Sequence, residues 1–389
     1  MAVMAGGAVK ILVLAHDLSD AAIHKRVAML RAGGADVTVA GFRRAEEPVT
    51  DVAGLTPINW GRTYNRGFLR RILSVLWLAI SMKTYRALFA NTDVILARNL
   101  EMLALGVRGR SLCNPKPVLV YECLDIHSLL LRQDFVGTVL RKLEGWLSRR
   151  ASALVTSSPA FVSDYFNKLS RVRLPIHLVE NKVFDLNESA PVPSNISMRP
   201  PWVIGWFGIL RCKKSLHILA DLVRHSAGNL QVIMRGKPAL DQLEDFDHVI
   251  ATTPGMRFLG PYKSPDDLAS IYSEVHFTWA IDMYEEGRNS SWLLPNRLYE
   301  GGRFGTVPLA LADVETGKFL QQLGIGVTTQ HPIIPNFGLF FKDLTGDQYQ
   351  RLRQASSQPP AETWVCGRAA CADLVGYLQS LKSGSAAHG

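Results

Sequence analysis

The stretch LLPNRLYEGGRFGTVPLA, Leu293 to Ala310, holds one carboxylate, Glu300, among three glycines and two prolines and between two apolar runs. Such an acid is either a solvated residue on a surface helix or a group held at the mouth of a strand–helix crevice to grip a polar ligand. In an open parallel sheet, anions bind where a helix begins after a strand, because free backbone N–H groups and the helix dipole meet there. Pro295 and Asn296 suit a short helix start, Arg297 adds charge near its N-terminus, and Glu300 follows one turn later. A carboxylate so placed accepts two hydrogen bonds from the vicinal hydroxyls of a ribose. Gly301 and Gly302 let the next backbone approach closely.

Two other segments supply the complementary charge. In GWFGILRCKKSLHIL, Gly208 stands at the expected end of a strand and is followed by Arg211, Lys214 and a helical pattern. In IMRGKP, Arg235 and Lys237 follow another expected strand. Singly, each cation reads as a solvated surface charge, and Lys213 is left with that reading. Cations at two strand edges with a carboxylate at a third make a nucleotide-diphosphate site. There is no GxxxxGK[ST], and no GxGxxG follows the first strand, so P-loop and standard dinucleotide readings are weak.

The elements that must position these residues alternate through the chain. KILVLAH (10–16), DVTVAGF (36–42), DVILAR (93–98), PVLVYEC (117–123), ALVTSS (153–158) and IHLVENK (176–182) read as strands, most followed by helical patterns. The Pro-, Ser- and Asn-rich segment 185–201 reads as a linker. A second series then begins with WVIGWFG (202–208), LQVIMRG (230–236), MRFLG (256–260), VHFTWAI (275–281), TVPLAL (306–311) and GIGVTT (324–329). Alternation of this kind predicts parallel sheets covered on both faces. The expected fold is α/β with two doubly wound, Rossmann-like domains facing an interdomain cleft, spanning 1–184 and 202–360. Residues 361–389 are expected to form a helix crossing back to the first domain.

Bulk properties agree with a two-domain globular chain. It has 389 residues, 47% hydrophobic and 20% charged, too long for one ordinary domain. Five cysteines without CxxC spacing argue against a disulfide framework or zinc ribbon and suit a reducing compartment. The apolar run before His16 is short for a signal-peptide core, and no segment reaches the ~18 apolar residues of a membrane span. The net charge of +9 is lopsided: residues 1–185 carry 25 Lys+Arg against 15 Asp+Glu, and the remainder 18 against 19. A basic half implies an anionic partner.

The segment FTWAIDMYEEGRNSSWLLPNRLYEGGRFGTVPLAL resembles the donor-binding segment of GT-B glycosyltransferases, specifically the family-4-like enzymes of bacterial polysaccharide assembly. GILRCKKS resembles their Arg…Lys diphosphate loop, and AHDLSDAAIHKRVAMLRAGGADVTVAGF resembles the opening of the succinoglycan-type exopolysaccharide branch. The resemblance covers most of the chain. It implies a sugar nucleotide, UDP- or GDP-linked, as donor substrate, with no separate cofactor and no metal. Arg211 and Lys214 would then neutralise the diphosphate and Glu300 would bind ribose. The family's second Glu, eight positions before the ribose Glu, is here Trp292; Glu285 and Glu286 lie too early, and Asn289, Ser290 or Asn296 are the candidates to replace it.

An inverting transfer needs a base for the acceptor hydroxyl. YECLDIHSLL places Glu122, Asp125 and His127 at and just past a strand end, and AHDLSD places His16, Asp17 and Asp20 at another. Asp125 is the first candidate, His127 the second and Asp17 the third; for Asp17 and Asp20 the competing role is capping a helix that starts at Ala21. His24 reads as structural. Arg98-Asn99 reads either as a contact to an acceptor pyrophosphate or as a plain loop.

Segment 62–89 carries Arg62, Arg66, Arg70, Arg71, Lys83 and Arg86 and no acid, around the apolar run Ile72–Ile80 containing Trp77. A basic-flanked apolar helix with Trp suits the headgroup zone of an anionic membrane; the competing reading is a buried helix with snorkelling cations. LRKLEGWLSRR (140–150) is a second basic-aromatic segment. The expected acceptor is a polyprenyl-diphosphate-linked oligosaccharide, and the expected location is cytoplasmic, peripheral on the inner face of the membrane. A same-fold alternative is a sugar-nucleotide 2-epimerase, and a non-enzymatic one is a membrane-bound scaffold. Nucleic acid is not expected, since the cations interleave with an apolar run and not with aromatics on a strand face.

Overall fold

The computed structural model describes residues 7–63, 68–187 and 196–386. Arg66 and part of the expected linker, 188–195, lie outside the described residues. The chain divides into two compact units, one of residues 1–179 with 368–389, the other of residues 180–367.

The first unit is built on seven strands: β1 (Lys10–Ala15), β2 (Asp36–Arg43), β3 (Ile58–Arg62), β4 (Val94–Arg98), β5 (Val118–Cys123), β6 (Ala153–Thr156) and β7 (Ile176–Leu178). Their order is β3-β2-β1-β4-β5-β6-β7 and every pairing is parallel. β1, β4, β5 and β6 are apolar along nearly their whole length because helices cover both faces. Helix Ala21–Ala32 packs with the C-terminal helix Arg368–Ala386. Helix Asn99–Arg110 packs with helices Phe68–Ser81 and Phe135–Ser148. Strand order reverses between β1 and β4, the place where such sheets open a crevice at their C-terminal ends.

The second unit begins with β8 (Val183–Phe184), followed by β9 (Trp202–Leu210), β10 (Leu230–Pro238), β11 (Met256–Phe258), β12 (Phe277–Trp279), β13 (Val307–Leu311), β14 (Val327–Thr329) and β15 (Val365–Cys366). Six of these form a parallel sheet in the order β11-β10-β9-β12-β13-β14, and β8 pairs with β15. Alternation along β9 sends Trp202, Ile204 and Trp206 into one apolar layer and Val203 and Phe207 into the other. Two apolar faces on one strand are what a doubly covered sheet demands. Here the order reverses between β9 and β12.

Two strands run further than their sequence suggests. β9 continues past Gly208 to Leu210, and β10 past Arg235 to Pro238, so Gly208 and Arg235 lie inside strands and not at their ends. Gly208 and Gly236 are register partners with φ of 109° and 126°, and a Cβ on Gly236 would meet the Gly208 carbonyl oxygen at 1.9 Å. The glycines bend the paired strands together instead of ending them.

Candidate functional site

The reversal point of the second sheet gathers most of the predicted donor residues. Helix Asn296–Arg303 carries Glu300, which is 7% exposed. Its Oε2 accepts from the hydroxyls of Tyr272 at 3.1 Å and Tyr262 at 3.3 Å. Tyr272 stacks on Phe304, and Phe207 meets both tyrosine rings edge-on. Burial first, then the Glu300 charge, pushes the Tyr272 hydroxyl well above its ordinary value, so it remains a donor at neutral pH. Glu300 is therefore a nearly buried carboxylate aligned by two fixed donors. Its environment excludes the alternative of a solvated helix residue. The helix can lie this close because of its glycines. A Cβ on Gly301 would sit 2.2 Å from Thr278 Oγ1, and one on Gly302 would sit 2.4 Å from the Trp364 ring.

Asp282, just past β12, organises the loop that leads to this helix. Its carboxylate accepts from Ser290 Oγ at 2.6 Å and from the Tyr284 N–H at 3.0 Å, and lies 3.7 Å from Arg297 Nη2. Burial opposes its ionisation, yet Arg297, Ser290 and the Tyr284 amide hold its carboxyl below the ordinary range. Arg297 also donates to the Ile281 carbonyl at 2.8 Å and is 8% exposed. It anchors the loop to the helix, which differs from the exposed phosphate-facing charge its position suggests. Ser290 donates to Asp282 and accepts from the Glu285 amide, while Asn289 donates to Glu285 at 2.6 Å. Asn296 is exposed and accepts from Asn181. Trp292 is half-buried in the short helix Asn289–Trp292.

The cations flank the same edge. The Arg211 guanidinium lies 4.6 Å over the exposed Tyr284 ring. Lys214, in the first turn of helix Lys213–Arg224, pairs with Glu286, whose hydrogen bond and charge raise the ammonium pKa. Arg235 lies 3.4 Å from Glu274. Gly208 approaches no protein atom closely at its Cβ position, where Tyr262 Oη is 4.0 Å away. Asp282, Tyr262 and Tyr272 are candidate site residues that the sequence does not single out. Only the acid directly after an apolar strand, in WAIDMYEE, signals Asp282.

The C-terminal edge of the first sheet carries the proposed bases. Asp125 and His127 are exposed just past β5. His127 Nδ1 accepts from the Leu129 amide at 3.2 Å and caps a short 3₁₀ turn. Glu122 is fully buried and bridges two guanidinium groups, Arg26 Nε and Arg98 Nε, each at 2.6 Å. Burial opposes its charge, but Arg98 and Arg26 hold its carboxyl below the ordinary range. That makes Glu122 a structural ion and commits Arg98, 2% exposed, to the interior. Asp17 Oδ1 binds the Ser19 amide, the Ser19 hydroxyl and the Arg44 amide at 3.1, 2.6 and 3.1 Å, so Asp17 closes a loop. Asp20 alone caps the helix, accepting from Ala22 N–H at 2.9 Å. His24 Nε2 lies 2.9 Å from the Leu18 carbonyl oxygen.

Beside them, His16 follows β1 directly at the reversal point. Burial and the Arg44 charge push its pKa down to about 4, and its Nδ1 meets no partner among the described residues. It is neutral, and so a proton acceptor, throughout the neutral range.

Among the described residues no group of three or more His, Cys, Asp or Glu is arranged to hold a metal ion, and no helix is long and apolar enough to cross a membrane.

No family model matches the chain. A curated relative, the succinoglycan biosynthesis protein ExoL of Rhizobium meliloti (strain 1021), is 43% identical over 377 residues, 96% of this chain and 94% of the relative. The solved structure of Anabaena HepE in complex with UDP and glucose superposes with a TM-score of 0.65 at 16% identity, covering 98% of this chain and 99% of that one. Sucrose-phosphate synthase from Thermosynechococcus elongatus gives a TM-score of 0.71 at 13% identity, covering 97% and 100%. These likenesses establish the GT-B fold.

Proposed function

The chain belongs to the family of the succinoglycan biosynthesis protein ExoL, and from that premise we propose that it is a GT-B glycosyltransferase of exopolysaccharide assembly. It moves a sugar from a nucleotide diphosphate, held by the second unit, to a lipid-linked oligosaccharide held by the first. The observation that carries the reading is Glu300, a nearly buried carboxylate aligned by Tyr262 and Tyr272. A ribose 2′,3′-diol supplies two donors to such a group. HepE, with this fold, binds UDP and glucose, which favours a uridine nucleotide among the candidate donors.

Arg211, Lys214 and Arg235 supply the charge that neutralises the diphosphate. Asn296, on the helix of Glu300, and the backbone at Gly208, near the Tyr262 hydroxyl, complete the proposed donor set. For the acceptor hydroxyl, Asp125 is the base if transfer inverts the anomeric centre, with His127 and Asp17 behind it. The loop-closing bonds of Asp17 and the capping bond of His127 weigh against those two. The acceptor is a polyprenyl-diphosphate-linked oligosaccharide, which places the enzyme at the inner face of the cytoplasmic membrane, docked through residues 62–89.

A thermal-shift panel of UDP, GDP, ADP and dTDP sugars tests the donor half. One nucleotide class should raise the melting temperature, and Lys214→Ala should weaken that nucleotide by ~10-fold, the size of one lost charge-assisted hydrogen bond. A panel in which nothing stabilises the protein refutes the reading.

A further inference from the structure

Helix Phe135–Ser148 is turned inside out. Its buried positions are Gly137, Glu144, Gly145, Leu147 and Ser148. Apart from the buried Leu147 and the half-buried Leu140, its large apolar side chains face outward: Phe135 is 82% exposed and Trp146 49%, with Val136, Val139 and Leu143 at 42% between them. The spacing of 136, 139, 143 and 146 is that of one continuous helical stripe.

This orientation is fixed from within. Glu144 accepts from Tyr121 Oη at 3.0 Å, Tyr165 Oη at 2.8 Å and Ser170 Oγ at 2.8 Å. Turning the helix to bury its stripe would break all three bonds and leave the buried Tyr121, Tyr165 and Ser170 hydroxyls without this acceptor. The small inward residues seat it closely: a Cβ on Gly137 would meet the Arg132 carbonyl oxygen at 2.0 Å, and one on Gly145 would meet Arg171 Cβ at 2.6 Å.

The rim of the stripe is cationic. Lys142, Arg149 and Arg150 are exposed, and the Arg150 guanidinium lies 4.1 Å over the Trp146 ring. The helix contributes no outward acid. Its one acid is the buried Glu144, and the capping Asp134 is paired with Arg132. Helix Phe68–Ser81 packs against the same central helix, Asn99–Arg110, and also exposes apolar groups: Trp77 at 69%, Ile80 at 77% and Leu76 at 54%.

We infer that helix Phe135–Ser148 inserts its outward stripe into the headgroup–acyl boundary of an anionic phospholipid bilayer, as the main element of a docking platform shared with helix Phe68–Ser81. An apolar stripe with Trp, bordered by cations and lacking acids, fits that surface. A protein partner would be met by mixed charge at the rim. The inference rests on the membrane-linked acceptor proposed above and names the element that meets the lipid.

The test is co-sedimentation with vesicles of phosphatidylcholine alone and of phosphatidylcholine with phosphatidylglycerol. The wild-type protein should prefer the anionic vesicles. Phe135→Ser with Trp146→Ser should lower partitioning by at least ~10-fold at low and high salt, because two apolar insertions are lost. Lys142→Gln with Arg149→Gln and Arg150→Gln should abolish only the preference for phosphatidylglycerol. Acyl-chain brominated lipid should quench part of the wild-type tryptophan emission; Trp146→Phe should lower that part, and the remainder should come from Trp77 on the second helix. Wild-type sedimentation by the Phe135/Trp146 variant overturns the inference. So does a concentration-dependent dimer that this variant abolishes, since the occupant is then a second copy of the chain. UDP stabilisation is read on the same preparations. A failed nucleotide reading therefore shows as absent stabilisation in the wild-type protein, whatever the vesicles do.

Discussion

Replacing Glu300 by glutamine isolates the charge of the proposed ribose acceptor from its shape. The amide keeps an oxygen for the Tyr262 and Tyr272 hydroxyls, so the pocket stays occupied and its rotamer stays packed. Glu300→Ala is a worse probe, because the fully buried Tyr272 hydroxyl would lose its acceptor, at a cost of ~1–3 kcal/mol to the fold. A hydrogen bond to a charged acceptor contributes ~1.5–3 kcal/mol and one to a neutral acceptor ~0.5–1.5. Each ribose hydroxyl should thus lose about 1 kcal/mol when it meets the neutral amide in place of the carboxylate. Two hydroxyls give about 2 kcal/mol, or ~30-fold weaker UDP binding. Titration calorimetry with UDP and 2′-deoxy-UDP, on wild-type and Glu300→Gln protein, closes a thermodynamic cycle. The wild type should favour UDP over the deoxy form by more than the variant does, with ~1 kcal/mol of coupling. If both proteins discriminate equally, Glu300 does not touch the 2′-hydroxyl and the assignment of the pocket is wrong.

If the product anomer is inverted, Asp125→Asn should lower kcat by ~10²–10⁴ with UDP affinity unchanged; full activity in that variant moves the base to His16, His127 or Asp17. His276 Nδ1 accepts from the Val203 amide at 3.0 Å, Nε2 lies 2.7 Å from the Ser197 carbonyl oxygen, and burial pushes the pKa down to about 4. The unfolded chain takes up this proton near pH ~6.5 and the folded chain does not. Stability should therefore fall by about 2 kcal/mol between pH ~7 and ~5 through this group, and His276→Asn should flatten that slope in urea unfolding. Gly301→Ala places a methyl against Thr278 and Thr306; calorimetric unfolding should show a loss of ~1–3 kcal/mol, and an unchanged melting temperature would mean the helix is less tightly seated than described.

Much of the fold is legible in the sequence because its strands are apolar on both faces. Runs such as KILVLA and VILAR are short, apolar and bounded by polar residues, which suits central strands of a covered sheet. β3 is not legible: INWGR is a polar edge strand whose pairing comes from β2 and not from its own composition. The ends of β9 and β10 mislead because a glycine in a strand reads as a stop, whereas Gly208 and Gly236 share one bend. At the site, Glu300 stands out by its glycine-rich setting. Tyr262 and Tyr272 do not, lying 38 and 28 residues upstream and meeting it only through the topology. Asp17 and Asp20 compete for the same capping role in the sequence because both precede one helix. Offset decides between them, and the carboxylate nearer Ala21 takes the cap. The inversion of helix Phe135–Ser148 depends on which face Glu144 anchors, and no local pattern carries that.

Sugar transfer from a nucleotide donor to a lipid-linked acceptor can be followed in one incubation. The purified protein is mixed with isotopically labelled UDP-sugars and a polyprenyl-diphosphate oligosaccharide in anionic vesicles, and the label is followed into the organic phase. Label should enter the lipid fraction with free UDP released in equal amount, and at donor concentrations below KM both should fall by ~30-fold in Glu300→Gln. Label that stays on the nucleotide with its sugar epimerised, or a nucleotide sugar left intact by every acceptor tried, contradicts the transfer.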